Sequence, residues 1–141
     1  MAHVFAPGLV LYMYPDELVK HGAECTADAR DAVTAQHYFV CLEVDARAGL
    51  WTPLFQGSGR DLKMISEAAK SGHARWTRGP SFYDVNQLWR VPHKAAQRAA
   101  AAANDASLPK SPNTVAPNAL PPWPTSRVRS TVSPLILAAT S

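Results

Sequence analysis

HYFVCLEVDARAGLWTPLF, residues 37–55, is the stretch whose reading decides the fold. Its first eight residues pass through an unbroken apolar centre, Tyr38 to Leu42, and leave it at Glu43 and Asp45. A run of that length, rich in aromatic and β-branched side chains and bounded by polar residues, predicts a strand buried on both faces. DARAG then reads as a turn and LWTPLF as a second strand. Pro53 has no N–H to give to a ladder, so this second strand is expected at an edge, at a bulge or at a strand end.

The segments around this pair fall into short elements. PGLVLYMYP predicts a strand over 8–14, and DELVKHG a single helical turn capped by Asp16 and stopped by Gly22. TADARDAVTAQ, from Thr26, reads equally as a short helix or a long loop. GSGRDLKMISEAAKSGH has an N-cap candidate in Asp61, apolar residues at Leu62, Ile65 and Ala69, and a terminating Gly72, which together predict a helix. HARWTR (73–78) and SFYDVNQLWRV (81–91) read as a strand pair about Gly79-Pro80, with the register of the second left open by its imperfect alternation.

Residues 93–106, HKAAQRAAAAANDA, have the highest helix propensity of the chain but little apolar area, so the helix is expected to project or to pack weakly. From Leu108 onward seven prolines fall in 34 residues, a composition that predicts a disordered or extended tail. In it, LPPWP and SPLILAA read either as short docking elements or as ordinary unstructured terminus. The sum is a β-rich domain over residues 1–92, an Ala-rich helix over 93–107 and a Pro-rich tail over 108–141. Four to six short strands in about ninety residues describe a small, strongly bent antiparallel sheet that closes on itself, with a sandwich or an open α+β sheet as the other arrangements.

The net charge of +3 is unevenly spread. Residues 1–107 balance at eleven basic and eleven acidic side chains, whereas residues 58–98 carry eight basic against three acidic. A surplus of that kind either concentrates phosphates near the surface or forms a solvated face with Arg stems lying over apolar side chains. Cys25 and Cys41 are too few for a disulfide framework or a zinc site. No histidine pair at metal-ligand spacing, nucleophile elbow or dinucleotide fingerprint is present, so no metal and no cofactor is expected. No targeting leader or membrane-spanning run is read in the sequence, and a cytoplasmic protein without a membrane partner is the expectation.

The order of elements resembles the PemK/MazF-like toxins, bacterial proteins with an SH3-like barrel. PGLVLYMY is similar to the family's opening strand, HYFVCLEV to its second, GLWTPLFQGSG to a strand ending in a proline-containing motif with a small hydroxyl residue, and SFYDVNQLWRVPHKAA to the final strand and its exit. The likeness covers residues 7–96. It implies an SH3-like barrel, metal-independent cleavage of single-stranded RNA, a homodimer, and an antitoxin that covers its groove. Where the family has an Arg-Pro pair before the second strand, this chain has Gln36-His37, and Ser58 stands for the small hydroxyl residue at a different spacing from Pro53.

RNA cleavage without metal needs a proton acceptor for the 2′-hydroxyl, a proton donor for the leaving oxygen and a cation for the phosphorane charge. Imidazole suits the first two and guanidinium the third. His37, Arg60 and Ser58 are the catalytic candidates. Lys63, His73, Arg75, Trp76 and Tyr83 are the candidates for binding substrate, the aromatics by stacking on bases. Each has a structural alternative: a rim histidine for His37, a helix-end contact for His73, surface ion pairs for the arginines, core for the aromatics. The second functional reading is a non-catalytic SH3-like module that binds a protein partner or its own Pro-rich tail.

Overall fold

The computed structural model describes residues 5–25, 37–56, 62–84, 87–103, 113–120 and 133–134. The fold is mainly β and antiparallel, as expected. Its centre is three strands, β1 (Leu9–Met13), β3 (His37–Val44) and β4 (Ala48–Phe55), with β3 lying between the other two. The short β2 (Glu24–Cys25) precedes β3 in the chain.

The β3–β4 turn is closed by one side chain. Asp45 Oδ1 accepts from the amides of Arg47 and Ala48, both at 2.8 Å, while the Asp45 amide donates to Ala48 O at 2.9 Å. Strand alternation divides the side chains of the three central strands between two cores. Leu9, Leu11, Met13, Phe39, Cys41 and Trp51 face one cluster, and Val10, Val40 and Leu54 face the other.

Pro53 lies in the middle of the sheet rather than at its edge. Its tolerance has a local reason: β4 changes partner there. Residues Ala48 to Trp51 pair with β8 (Trp89–Pro92), whereas Leu54 and Phe55 pair with β7 (Ser81–Asp84). Pro53 falls in the gap between these partners, where neither ladder asks for its missing N–H. Thr52 Oγ1 fills the same gap by donating to Gln87 O at 3.0 Å. This switch also explains why residues 81–91 form two strands instead of the single one expected: Tyr83 enters one core and Trp89 the other.

Two further expectations are corrected. Leu62–Ile65 is a strand, β5, paired with β7, and is followed by a 3₁₀ turn at Glu67–Ala69 and by β6 (Lys70–Ser71). The helical spacing of Leu62, Ile65 and Ala69 supplied only three apolar residues, and pairing with β7 sends Ile65 into the second core. Conversely, the expected strand at 73–78 is a helical turn, α2 (Ala74–Thr77), capped by His73, whose Nδ1 accepts from the Arg75 amide at 3.0 Å. The turn is wound around Trp76, 1% exposed in the second core.

The first helix, α1 (Pro15–Lys20), starts at Tyr14 in the N-cap position, without a side-chain cap, rather than at Asp16, with Pro15 in the first turn, where a missing N–H costs nothing. It stops at Gly22 in a Schellman arrangement: φ is +100°, Gly22 N donates to Val19 O and Ala23 N to Leu18 O. The third helix, α3 (His93–Ala102), does not project. Ala95, Ala96, Ala99 and Ala100 are fully buried in the first core, against α1 and β1. Four methyl groups on one face let the helix backbones approach closely, and the area lost by having small side chains is offset by that proximity.

Part of the expected disordered tail belongs to the sheet. Asn113–Val115 forms β9 between β1 and β6, and Ser133–Pro134 forms β10 beside β2. Val115 is 2% exposed in the second core, with Ala119 and Leu120 packed against it. Its amide donates to Gly8 O at 2.8 Å. The strand order is β10-β2-β8-β4-β3-β1-β9-β6, with β7 and β5 branching from β4. The sheet bends around the second core but does not close, because among the described residues β5 and β6 share no ladder; SH3-like closure is therefore not reached. Among the described residues no helix is long and apolar enough to cross a membrane.

The tail's approach depends on Gly8, at φ +96°, where an added Cβ would lie 2.6 Å from Val115 O. Gly79, at φ +74°, has nothing within 4 Å of the same position. Gly79→Ala should therefore cost about 1–2 kcal/mol, from the left-handed backbone alone. Gly8→Ala should cost a further 1–3 kcal/mol or so, because backbone must shift. Equal losses in urea unfolding would contradict the close approach of the tail.

Candidate functional site

The chemistry of the open seam begins with a lysine. Lys70, on the two-residue β6, is only 8% exposed. Its Nζ donates to Ser81 Oγ at 2.7 Å and to Trp76 O at 3.1 Å, and lies 4.1 Å from the centre of the Trp76 ring. The amine thus spans from β6 to α2 and to the first residue of β7, across the seam that no ladder closes. Burial lowers its pKa from 10.5, and the field of Glu67 opposes the shift. The Glu67 carboxylate accepts from the Gly79 amide at 2.6 Å. None of this is legible in the sequence, where Lys70 is one positive charge among eight. A lone Lys beside a helix-like pattern gives no sign of burial.

Around this clamp lies a line of aromatic rings. Tyr38 meets Tyr12 at 4.8 Å and Trp76 at 5.1 Å between centroids, and the two tyrosines are half-buried. Lys63 stands opposite Tyr83 in the β5–β7 ladder and is exposed, as are Arg75 and Arg78 on and after α2. Of the candidates for binding substrate, Lys63 and Arg75 therefore reach solvent on one lobe. Trp76 and Tyr83 are core residues of that lobe, and burial raises the Tyr83 pKa. His73 is occupied in capping α2, and its amide donates to Asn113 Oδ1 at 2.8 Å.

His37 takes a different side. It shares β3 with Phe39 and Cys41, whose side chains enter the first core, whereas Tyr38 and Val40 point to the second. Its ring meets Phe55 edge-on at 5.2 Å, and it stands opposite Met13 in the β1–β3 ladder. It is a half-buried residue at the mouth of its strand, separated from the aromatic line by the thickness of the sheet. Ser58 and Arg60, together with the GSG loop and Asp61, lie outside the described residues.

The remaining reactive groups are closed off. Both cysteines are free and buried, and burial pushes the Cys41 thiol up to about 12, which leaves it protonated and unreactive at neutral pH. Among the described residues no group of three or more His, Cys, Asp or Glu side chains is placed to hold a metal ion. Compared with protein-family models, curated proteins and solved structures, the chain matches none.

The lysine clamp has a signed pH dependence. The unfolded chain keeps Lys70 protonated up to about 10.5, while the folded chain releases the proton earlier, so the unfolded state binds more protons in that window. Stability contributed through Lys70 is therefore lowest where it is charged and rises as pH climbs through its folded pKa towards 10.5. Measured as the difference between the wild type and Lys70→Met, which cancels the opposing titration of Cys41 and Tyr83, the wild type should gain as pH rises towards 10.5. A flat or falling difference would show that the amine is not desolvated.

Proposed function

We propose that this chain binds single-stranded RNA through the lobe formed by β5, α2 and β7. The observation that carries the reading is the local charge: Lys63, Arg75 and Arg78 are exposed on the lobe, and of its two acids, Glu67 and Asp84 at the end of β7, the Glu67 carboxylate is already held by the Gly79 amide. Cations grouped in this way attract a phosphate backbone, and the adjoining Tyr12–Tyr38 pair offers ring surface for bases. The resemblance to PemK/MazF-like toxins supports the same substrate class, and the antitoxin and the homodimer rest on that resemblance alone.

The proposal is confined to binding. Cleavage requires the proton acceptor on the side where the phosphate lies, and His37 faces the core opposite to Tyr38 and Trp76. An endonucleolytic step would rest on Arg60 and Ser58, which lie outside the described residues.

Fluorescence anisotropy with a labelled oligouridylate tests the binding. Replacing Lys63, Arg75 and Arg78 together by Ala should weaken affinity at least tenfold or so. It should also reduce the slope of log K against log salt by about 2, at roughly 0.7 for each phosphate that is no longer neutralised. Unchanged affinity and slope would remove the lobe as the binding face. RNA cleavage in EDTA that disappears in His37→Ala would extend the reading to an endoribonuclease.

A second reading is favoured by a separate observation, the pairing of Asn113–Val115 with β1 and β6. A sheet that takes up an extended segment of its own tail has the geometry of a strand-adding interaction module. Deletion of residues 108–141 should then lower Tm by at least about 5 °C, which for a domain of this size corresponds to one or a few kcal/mol. An unchanged Tm would dispose of the docked tail.

A further inference from the structure

The place that β9 occupies is built to read a peptide. One wall is β1 with Gly8; the other is β6, a two-residue strand whose ladder is made with β9. The backbone of the occupant is held by Val115 N donating to Gly8 O and Ala116 N donating to Ala69 O, each at 2.8 Å. Its sequence is read at two side chains, Asn113 and Val115, and its backbone at one further point, Thr114 O. Asn113, 2% exposed, accepts from the His73 amide through Oδ1; Thr114 O accepts from Trp76 Nε1 at 3.3 Å; and Val115 fills the second core. Any side chain without an acceptor at 113 leaves the part-buried His73 amide without this partner, and a charge at 115 enters a core.

The far wall is tied to the body independently of its occupant. Lys70 holds β6 to α2 and β7 through Trp76 O and Ser81 Oγ, and β7 is joined to β1 through the β4 and β3 ladders, none of which includes the strand between the walls. The occupant itself is joined to α3 only through residues 104–112, nine positions after Ala103. Its ladders are made with β1, near the start of the chain, and β6, in its middle. Nothing in the recognition therefore requires the segment to come from the same molecule.

We propose that the slot between β1 and β6 is a strand-acceptor site for an extended Asn-Thr-Val-Ala-Pro segment, and that its ligand in trans is the tail of a second copy of this chain. The inference rests on the strand-adding reading given above. The second copy is favoured because it carries by construction the residues that the slot reads. Covalent linkage gives the chain's own tail an effective concentration on the order of millimolar, so exchange between copies is masked until cis occupancy is weakened.

The test separates slot from tail. Full-length Val115→Asp keeps the slot but disables the tail, and Gly8→Ala keeps the tail but obstructs the slot. Each alone should be monomeric in sedimentation, and an equimolar mixture should form a heterodimer. In parallel, a labelled peptide of residues 108–120 should bind full-length Val115→Asp and raise its Tm, whereas the peptide with Asp at 115 should bind at least about tenfold more weakly. No heterodimer and no peptide uptake would overturn the proposal, as would equal binding of both peptides. If tail deletion lowers Tm but the peptide is not taken up, docking in cis stands and exchange fails; if deletion has no effect, the underlying reading fails with it.

Discussion

The structure depends on one constraint: its central strands are covered on both faces. A strand buried on a single face can be polar on the other, but β1, β3 and β4 must supply apolar side chains alternately to two cores. The first core is closed by α1 and α3, whose alanines bring the helices onto the sheet. The second is closed by the chain bending over itself through β7, β5, α2 and finally β9, which contributes Val115. A one-residue slip in the β3–β4 register would turn Phe39 and Val40 into each other's cores, so the Asp45-closed turn and the register shift between Cys41 and Glu43, which together set the pairing, matter to every other element.

The second core is completed by two unusual devices. Gly8 lets a strand from the far end of the chain approach to a distance no Cβ would allow, and Lys70 replaces a missing ladder by a buried amine between strand, helix and strand. Among the described residues no carboxylate stands at ion-pair distance from it, and a buried lysine of that kind is a costly way to join elements. Its three contacts, a hydroxyl, a carbonyl and an indole face, suit an ammonium that must be satisfied without a counter-ion. The same lobe leaves Lys63, Arg75 and Arg78 outside, so the clamp that completes the fold also carries the exposed charge on which the RNA reading depends.

What could be read from the sequence follows from how local the cause was. The β3 strand, the β3–β4 turn, β1 and the stop of α1 at Gly22 were legible because their signals lie within the segment itself: an unbroken apolar run, an Asx turn, a left-handed glycine. Residues 62–78 were misread because what decides them is far away in the chain. Leu62–Ile65 is a strand because β7 pairs with it, and residues 74–77 form a helical turn because Trp76 must reach the core. Composition misleads for two stretches of the tail, 113–120 and 133–134. Among prolines, serines and threonines, Asn113 and Val115 carry no mark of burial, and only the groove beside Gly8 gives them one. Of the site, Lys63 and Arg75 were found by charge, while Lys70, Ser81 and the Tyr12–Tyr38 pair depend on pairings that no local pattern announces.

That the tail segment is an integral strand is the claim on which the second core and the acceptor slot turn, and native-state hydrogen exchange reads it most directly. The amides of Val115 and Ala116, bonded to Gly8 O and Ala69 O, should exchange as slowly as those of the central strand β3, since all of them open only with the whole domain. Exchange of these two amides at the rate of a free peptide, while Phe39 and Val40 stay protected, would contradict the account and leave the second core open on that side.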